Sequence, residues 1–171
     1  MTMAFYDLVG HDAERPFSPH CWKVRMALAH KGLPFETVPT RFDEIARVEG
    51  GEGRTLPVLR DGDHVVQDSF AIAEYLDEAY PDRPPLFGEP GGRGLTRFVE
   101  SWSQRTVHPA IVSICVLDIL SAQDERNARW FRERREATFG RSLEEVQDGR
   151  SPERVAAFRA AVGDLLGADP A

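Results

Sequence analysis

Bulky apolar residues crowd Met3–Leu8 and give way at Val9-Gly10, which predicts a short strand. Ser18-Pro19 reads as a helix start, because serine caps well and proline suits the first helical position. Lys31-Gly32 supplies the matching stop, so the pattern predicts a helix over Pro19–Lys31. Leu33–Pro39, bounded by prolines, reads as a second strand. Strand, helix and strand with short joints make a βαβ unit with parallel neighbouring strands. Arg41–Val48 reads as a weak helix and Gly50-Gly-Glu-Gly53 as a loop. Leu56–Arg60 and Asp63–Val66, two apolar runs about Asp61-Gly62, form a hairpin pattern. From Asp68-Ser69, apolar residues at Phe70, Ile72, Ala73, Leu76 and Tyr80 keep near-helical spacing until Pro81.

Residues 82–93 are rich in proline and glycine and read as a linker, after which every pattern is helical. Leu95, Phe98, Val99, Trp102 and Thr106 form one face, and Pro109 is expected to kink or break that helix. The apolar run continues through Ala110–Leu120. Asp124 caps a further stretch that ends at Gly140, and Ser151-Pro152 opens a last helix ending near Gly167. The expected architecture is a mixed α/β unit, β-α-β-α-β-β-α, over residues 1–85, a joint at 86–93 and an all-α unit over 94–171.

Composition narrows the classes of function. Lys and Arg number 21 against 28 Asp and Glu, a net charge of −7, which argues against nucleic acid as a partner. Cys21 and Cys115 are too few and too far apart for a disulfide framework, so a reduced, cytoplasmic setting is expected. The first residues lack the basic flank and apolar run of a secretory leader, and no apolar run reaches the ~20 residues of a membrane span. The five histidines have no metal-ligand spacing, and no phosphate-binding glycine motif occurs.

The chemically suggestive stretch is Arg15–Gly32. At Ser18-Pro19 a helix start presents unpaired backbone N–H groups, a partial positive charge and a hydroxyl at one point. That arrangement suits an anion, or a thiol about to become one. Read plainly, Ser18 is an ordinary cap worth about 1 kcal/mol of helix stability. Asp68 and Ser69 repeat the arrangement at the later helix. Cys21, one turn into the first helix with Val24 and Leu28, reads as a small packed residue or as a redox thiol.

Three motifs in order resemble the glutathione transferases: Ser18-Pro-His-Cys21, Thr55-Leu-Pro-Val-Leu59 and Gln67-Asp-Ser-Phe-Ala-Ile-Ala-Glu-Tyr-Leu76. More narrowly, Phe5-Tyr-Asp-Leu8, Ala27-Leu-Ala-His-Lys-Gly32 and Glu74-Tyr-Leu-Asp-Glu-Ala-Tyr-Pro-Asp-Arg-Pro84 are similar to the bacterial β-etherase-like branch, whose members cleave aryl ethers with glutathione. The resemblance implies a thioredoxin-like N-terminal domain that binds glutathione and a helical domain that shapes a hydrophobic electrophile pocket. It implies that Ser18 stabilises the glutathione thiolate, that Leu56-Pro57 is cis and meets the cysteinyl unit, and that Asp68 and Ser69 hold the γ-glutamyl end. Arg54, with Arg41 beside it, is a candidate for the glycine carboxylate. Trp102 and His108, with Ile111, are candidates for the electrophile pocket. Tyr6, which some classes of the family use as the thiolate donor, is expected to serve packing.

The energetics suffice. A free thiol has a pKa near ~8.5, and lowering it two units takes roughly 2.7 kcal/mol. One hydrogen bond to a charged group supplies about 1.5–3 kcal/mol and a helix start ~0.3–1 kcal/mol. The resemblance also implies a homodimer with glutathione as co-substrate and no metal. The helical unit is shorter than the family's, which leaves the second pocket open. Two rivals stand beside transfer chemistry: a non-catalytic glutathione-binding module, and a redox enzyme working through Cys21.

Overall fold

A computed structural model describes residues 2–51, 55–148 and 150–167. Four strands, β1 (Met3–Leu8), β2 (Phe35–Thr40), β3 (Val58–Asp61) and β4 (His64–Gln67), form one sheet in the order β2-β1-β3-β4. β2 runs parallel to β1, and β3 is antiparallel to both β1 and β4. Helices α1 (Pro19–Lys31) and α2 (Ser69–Ala79) pack together on one face. The expected parallel pair, hairpin and first two helices are therefore present.

Two details differ from the sequence pattern. β2 begins at Phe35 because Leu33 belongs to the end of α1. Gly32 turns left-handed at φ 63°, and Leu33 N–H donates to Leu28 C=O at 3.0 Å. Leu33 and Leu28 are both buried, as that kind of helix ending requires. The expected weak helix is instead a 3₁₀ segment, Phe42–Gly51, interrupted by non-helical angles at Val48–Gly50. Its buried residues are Phe42, Ile45 and Val48. A strict three-residue spacing fits 3.0 residues per turn rather than 3.6.

Beyond the sheet lie α3 (Gly92–Ser121), α4 (Glu125–Phe139), α5 (Leu143–Gln147) and α6 (Pro152–Leu166). α3 continues through Pro109 without breaking. The proline frees one carbonyl of the preceding turn, and both Pro109 and Arg105 are exposed, so water can satisfy it. Helix α5 has no counterpart in the sequence reading. Its signal was a capping box, in which Glu145 N–H donates to Ser142 Oγ at 3.2 Å and Ser142 N–H to Glu145 Oε2 at 2.8 Å. Leu143 and Val146 then enter the core.

One apolar core joins both layers. Phe5, Leu28, Leu59, Ile72 and Leu76 fill its sheet side, and Val116, Phe131, Leu143 and Val146 its helical side. Each large side chain buried this way contributes about 1.5–3 kcal/mol. A polar anchor ties the joint between layers. Lys31, buried at the end of α1, donates to Asp77 at 2.6 Å and to Pro84 C=O at 3.2 Å. Asp77 also accepts from the backbone N–H groups of Leu86 and Phe87. The loop after β1 is seated as well. Gly10 lies so close to the end of α3 that an added Cβ would stand 2.2 Å from Ala122 C=O, and His11 N–H donates to that oxygen at 2.9 Å.

Candidate functional site

Register brings the three motifs to one end of the sheet. Tyr6 pairs with Val58, and Val58 with Gln67. One residue further, Pro57 and Asp68 therefore flank the end of β1, where the chain leaves for Ser18. The Leu56-Pro57 bond is cis, and Pro57 is buried. Gln67 Nε2 donates to Thr55 C=O at 2.7 Å and holds the segment ahead of that bond against β4.

Ser18 is the cap of α1. It is buried, and its hydroxyl accepts from Cys21 N–H at 3.3 Å, which leaves the hydroxyl proton free to donate. No acidic residue stands in the first turn to oppose an anion. Cys21 is completely buried below it. Burial pushes its thiol up to about 11, against the lowering effect of the Ser18 hydroxyl and the Leu8 backbone. At neutral pH this thiol is protonated and screened from solvent, the state of a packed residue rather than a nucleophile.

Asp68 caps α2 from a left-handed conformation, φ 78°, that an L residue rarely adopts. Its carboxylate accepts from Phe70 N–H at 2.9 Å and Ala71 N–H at 3.1 Å. Those two bonds consume the donors it meets, while the Ser69 hydroxyl stays buried with no partner among the described residues. An unpartnered buried hydroxyl at a helix start costs free energy until a ligand arrives.

The other candidates separate. His108, on α3, lies with its ring 5.5 Å from that of His20, two residues past Ser18. His20 also meets Gln104 at 3.4 Å. Burial lowers the His20 pKa first, then the charge of Lys23, so the ring is neutral at pH 7. His108 is lowered by burial and then by Arg135 and Lys23. Trp102 is not part of this group. It stands on an exposed stripe of α3 with Leu95, Phe98 and Val99, and Ile111 is exposed as well. Tyr6 turns to the opposite face and donates to Glu49, which also accepts from Arg60 at 2.8 Å. Arg41 is 3.7 Å from Asp124. Arg54 lies outside the described residues.

Sequence reasoning passed over Phe17 and His20, which stand on either side of Ser18-Pro19. Phe17, next to Ser18, packs toward Phe42, which in turn meets Phe131 on α4. No local pattern links Phe17 or His20 to helices roughly eighty to a hundred and fifteen positions downstream. A cleft of about 720 Å³ runs between α1, α2 and α3, lined by Phe17 and Pro19 on either side of Ser18, by Ser69, and by Trp22, Met26 and Phe70. Among the described residues, no three His, Cys, Asp or Glu side chains gather as a metal would need. No helix there is long and apolar enough to cross a membrane.

A four-stranded mixed sheet with two helices on one face, a cis-proline and a following helical layer define a thioredoxin-like unit joined to an all-α unit. Residues 13–84 match the family "Glutathione S-transferase, N-terminal domain" and residues 94–168 "Glutathione S-transferase, C-terminal domain". The crystal structure of glutathione transferase GSTFuA2 from Phanerochaete chrysosporium is 32% identical, with a TM-score of 0.79 over 98% of this chain and 72% of that one. The chain belongs to the glutathione S-transferase superfamily. The transferase CsGST63524 of Ceriporiopsis subvermispora, solved in complex with glutathione, is 28% identical with a TM-score of 0.79, covering all of this chain and 76% of that one. Among curated sequences, glutathione S-transferase Z1 of Arabidopsis thaliana is 49% identical over 70 residues, 37% of this chain and 31% of that protein. A probable maleylacetoacetate isomerase of Vibrio cholerae is 34% identical over 131 residues, 67% of this chain and 58% of that protein. The chain thus spans from about a third to under three-fifths of these two curated relatives.

Proposed function

We propose that this protein binds glutathione at the β1–α1 end of the sheet and activates its thiol for attack on an electrophilic carbon. The observation that carries this reading is the convergence of three elements at that end: the Ser18 hydroxyl, the Leu56-Pro57 segment and the unpartnered Ser69 hydroxyl. Ser18 donates to the sulfur, whose charge also faces the start of α1. Leu56 offers backbone groups to the cysteinyl unit. Ser69 takes the γ-glutamyl carboxylate, and Asp68 the amino group beside it. The thiolate forms a carbon–sulfur bond as a leaving group departs, an aryl oxide in the β-etherase-like form of the reaction. A hydrophobic electrophile is the second substrate, and a homodimer covers the stripe of Leu95, Phe98, Val99 and Trp102. A cytoplasmic setting accords with two free cysteines.

Ser18→Ala tests the assignment. Losing one hydrogen bond to a charged sulfur, about 1.5–3 kcal/mol, raises the bound thiol's pKa by one to two units. Turnover of an aryl electrophile at pH 7 should fall roughly 10- to 100-fold and recover as pH rises, while retention on immobilised glutathione persists. A mutant with unchanged turnover at pH 7 would refute the role of Ser18. Retention without conjugation in the unaltered protein would instead favour a glutathione-binding module. The redox alternative has little support, because Cys21 is buried and protonated.

A further inference from the structure

Phe17 and Pro19 bring the cleft between α1, α2 and α3 up to Ser18. Its volume of about 720 Å³ falls within the ~300–1,000 Å³ of small-molecule sites. Trp22 and Met26 form one wall from α1 and are 44% and 61% exposed, so two large apolar side chains stay wet. Trp22 is fixed there, because its indole N–H donates to Pro16 C=O at 3.1 Å. Phe87 forms a second wall, backed by Phe70 with ring centroids 5.3 Å apart. Walls of this kind suit a flat aromatic body.

Polar groups are few in the lining. Ser69 is assigned above to the γ-glutamyl carboxylate, and Thr96 Oγ1 donates to Gly92 C=O at 2.8 Å. The charged members are Lys23 and Glu100, joined at 2.8 Å from α1 to α3. Glu100 is fully engaged: Oε1 accepts from Lys23, and Oε2 from Arg97 at 3.3 Å. Arg97 is itself seated over the Phe70 ring, 3.8 Å from its centroid. Lys23 has capacity left. An ammonium carries three donors, and Glu100 is the one acceptor it meets among the described residues. A helix rises ~1.5 Å per residue, so Lys23 stands about 7.5 Å along the axis from Ser18. Helix side chains lean back toward the helix start, which shortens the reach. A sulfur held at Ser18, the attacked carbon and a departing oxygen, arranged in line, bridge that span.

We propose that the aromatic leaving group of the second substrate lies in this cleft, where the Lys23 ammonium receives its oxygen as the anion departs. The proposal rests on the transfer reading above and names an aryl ether as the substrate class. The glutathione thiolate bonds to carbon, the carbon–oxygen bond breaks, and its electron pair leaves on the aryl oxide. Lys23 donates a hydrogen bond to that oxygen, and solvent then supplies the phenolic proton. The bond strengthens as charge develops, so it acts on the rate more than on binding of the neutral ether. Glu100 is a positioning residue that keeps the ammonium on the α3 side of the cleft.

Phenacyl aryl ethers that share the attacked carbon and differ in the phenol test the assignment. A nitro group makes the phenol a good leaving group and a methoxy group a poor one. The readout is the ratio of kcat/KM for the nitro ether to that for the methoxy ether. Lys23→Met should raise the ratio at least roughly tenfold, because the poor leaving group depends most on the cation. Lys23→Arg should bring much of it back. Glu100→Gln breaks the same ion pair but keeps the cation, so it should move the ratio far less. An unchanged ratio in Lys23→Met, or an equal rise in Glu100→Gln, overturns the proposal. Thermal melting of each variant checks that the fold is kept. A second measurement needs no turnover: para-nitrophenolate stands in for the departing anion, titrated by calorimetry without glutathione. Lys23→Met and Ala73→Phe, which fills the cleft from α2, should each weaken its binding roughly tenfold or more. Equal affinity in either variant, or no binding by the unaltered protein, overturns the proposal. If the unaltered protein conjugates none of the ethers, the transfer reading fails separately. The titration alone then decides whether the cleft and Lys23 hold an aryl oxide.

Discussion

Replacing Asp77 by alanine should be among the most damaging single changes outside the core. Lys31 is almost wholly buried, with its side chain 1% exposed, and Asp77 lies 2.6 Å away. Without the carboxylate, the ammonium keeps only Pro84 C=O at 3.2 Å, and the N–H groups of Leu86 and Phe87 lose their acceptor. Removing one partner of a buried ion pair costs about 3–5 kcal/mol. For a chain of this size each kcal/mol moves Tm by about 2–4 °C, so the midpoint should fall by roughly 6–20 °C. Circular dichroism melts and urea titrations of the two proteins measure it. Lys31→Met should cost less, because Asp77 is partly exposed and keeps its backbone donors. The pH dependence has a definite sign. Burial pushes the Asp77 carboxyl up, but Lys31 and the two backbone N–H groups outweigh it and hold the carboxyl below its ordinary value. Its contribution is therefore present above the unfolded pKa of ~3.9 and is lost as pH falls through the lower folded value. The unaltered protein should lose stability on acidification below pH ~4 more steeply than Asp77→Asn. A loss under about 1 kcal/mol for Asp77→Ala would show that the anchor is an exposed pair of little weight.

Two further outcomes concern the site. Ser69→Ala removes a buried hydroxyl that lacks a partner, so stability should hold or rise by up to about 1 kcal/mol while glutathione binds roughly tenfold more weakly. Isothermal titration with a paired denaturation series reads both, and equal affinity would remove Ser69 from the site. With its thiol pushed up to about 11, Cys21 has only about one molecule in a thousand as thiolate at pH 8. In the native protein, Cys115 should react with a thiol reagent well before Cys21, as mass spectrometry of the labelled peptides can establish; prompt labelling of Cys21 would contradict its burial.

Local signals carried most of the first module. Ser18-Pro19, Gly32, Asp61-Gly62 and Asp68-Ser69 each set a backbone event within a few residues, and each marks an observed boundary. The pattern erred where a short-range rule had two readings. Phe42, Ile45 and Val48 match a three-residue period as readily as a sparse α-helical stripe, and Leu33 completes a helix ending before any strand begins. Pro109 was expected to disturb α3 on a rule that omits whether the freed carbonyl meets water. At the candidate site, motif-bearing residues on the sheet end were legible because a short register holds them together. The contacts of His20 with Gln104 and His108, and of Phe42 with Phe131, were not, since they depend on how α3 and α4 lie against the first module, and no spacing in the sequence encodes that. Trp102 shows the same limit. Its place on the exposed stripe of α3 could not be read from the apolar spacing, which gave it to a helix face without saying what that face meets.

The contact of Gly10 and His11 with Ala122 has a bearing on how such a protein can vary. The loop that leads to Ser18 is seated by the corner where α3 turns into α4, so the position of the first helix start is set by residues more than a hundred places away. Variation in α6 leaves that seat untouched, whereas a side chain at Gly10 would have to displace the α3 corner. Diversity is therefore cheap at the far end of the helical layer and restricted at this corner. At this corner the two modules are fixed to each other beside the place where the chemistry would occur.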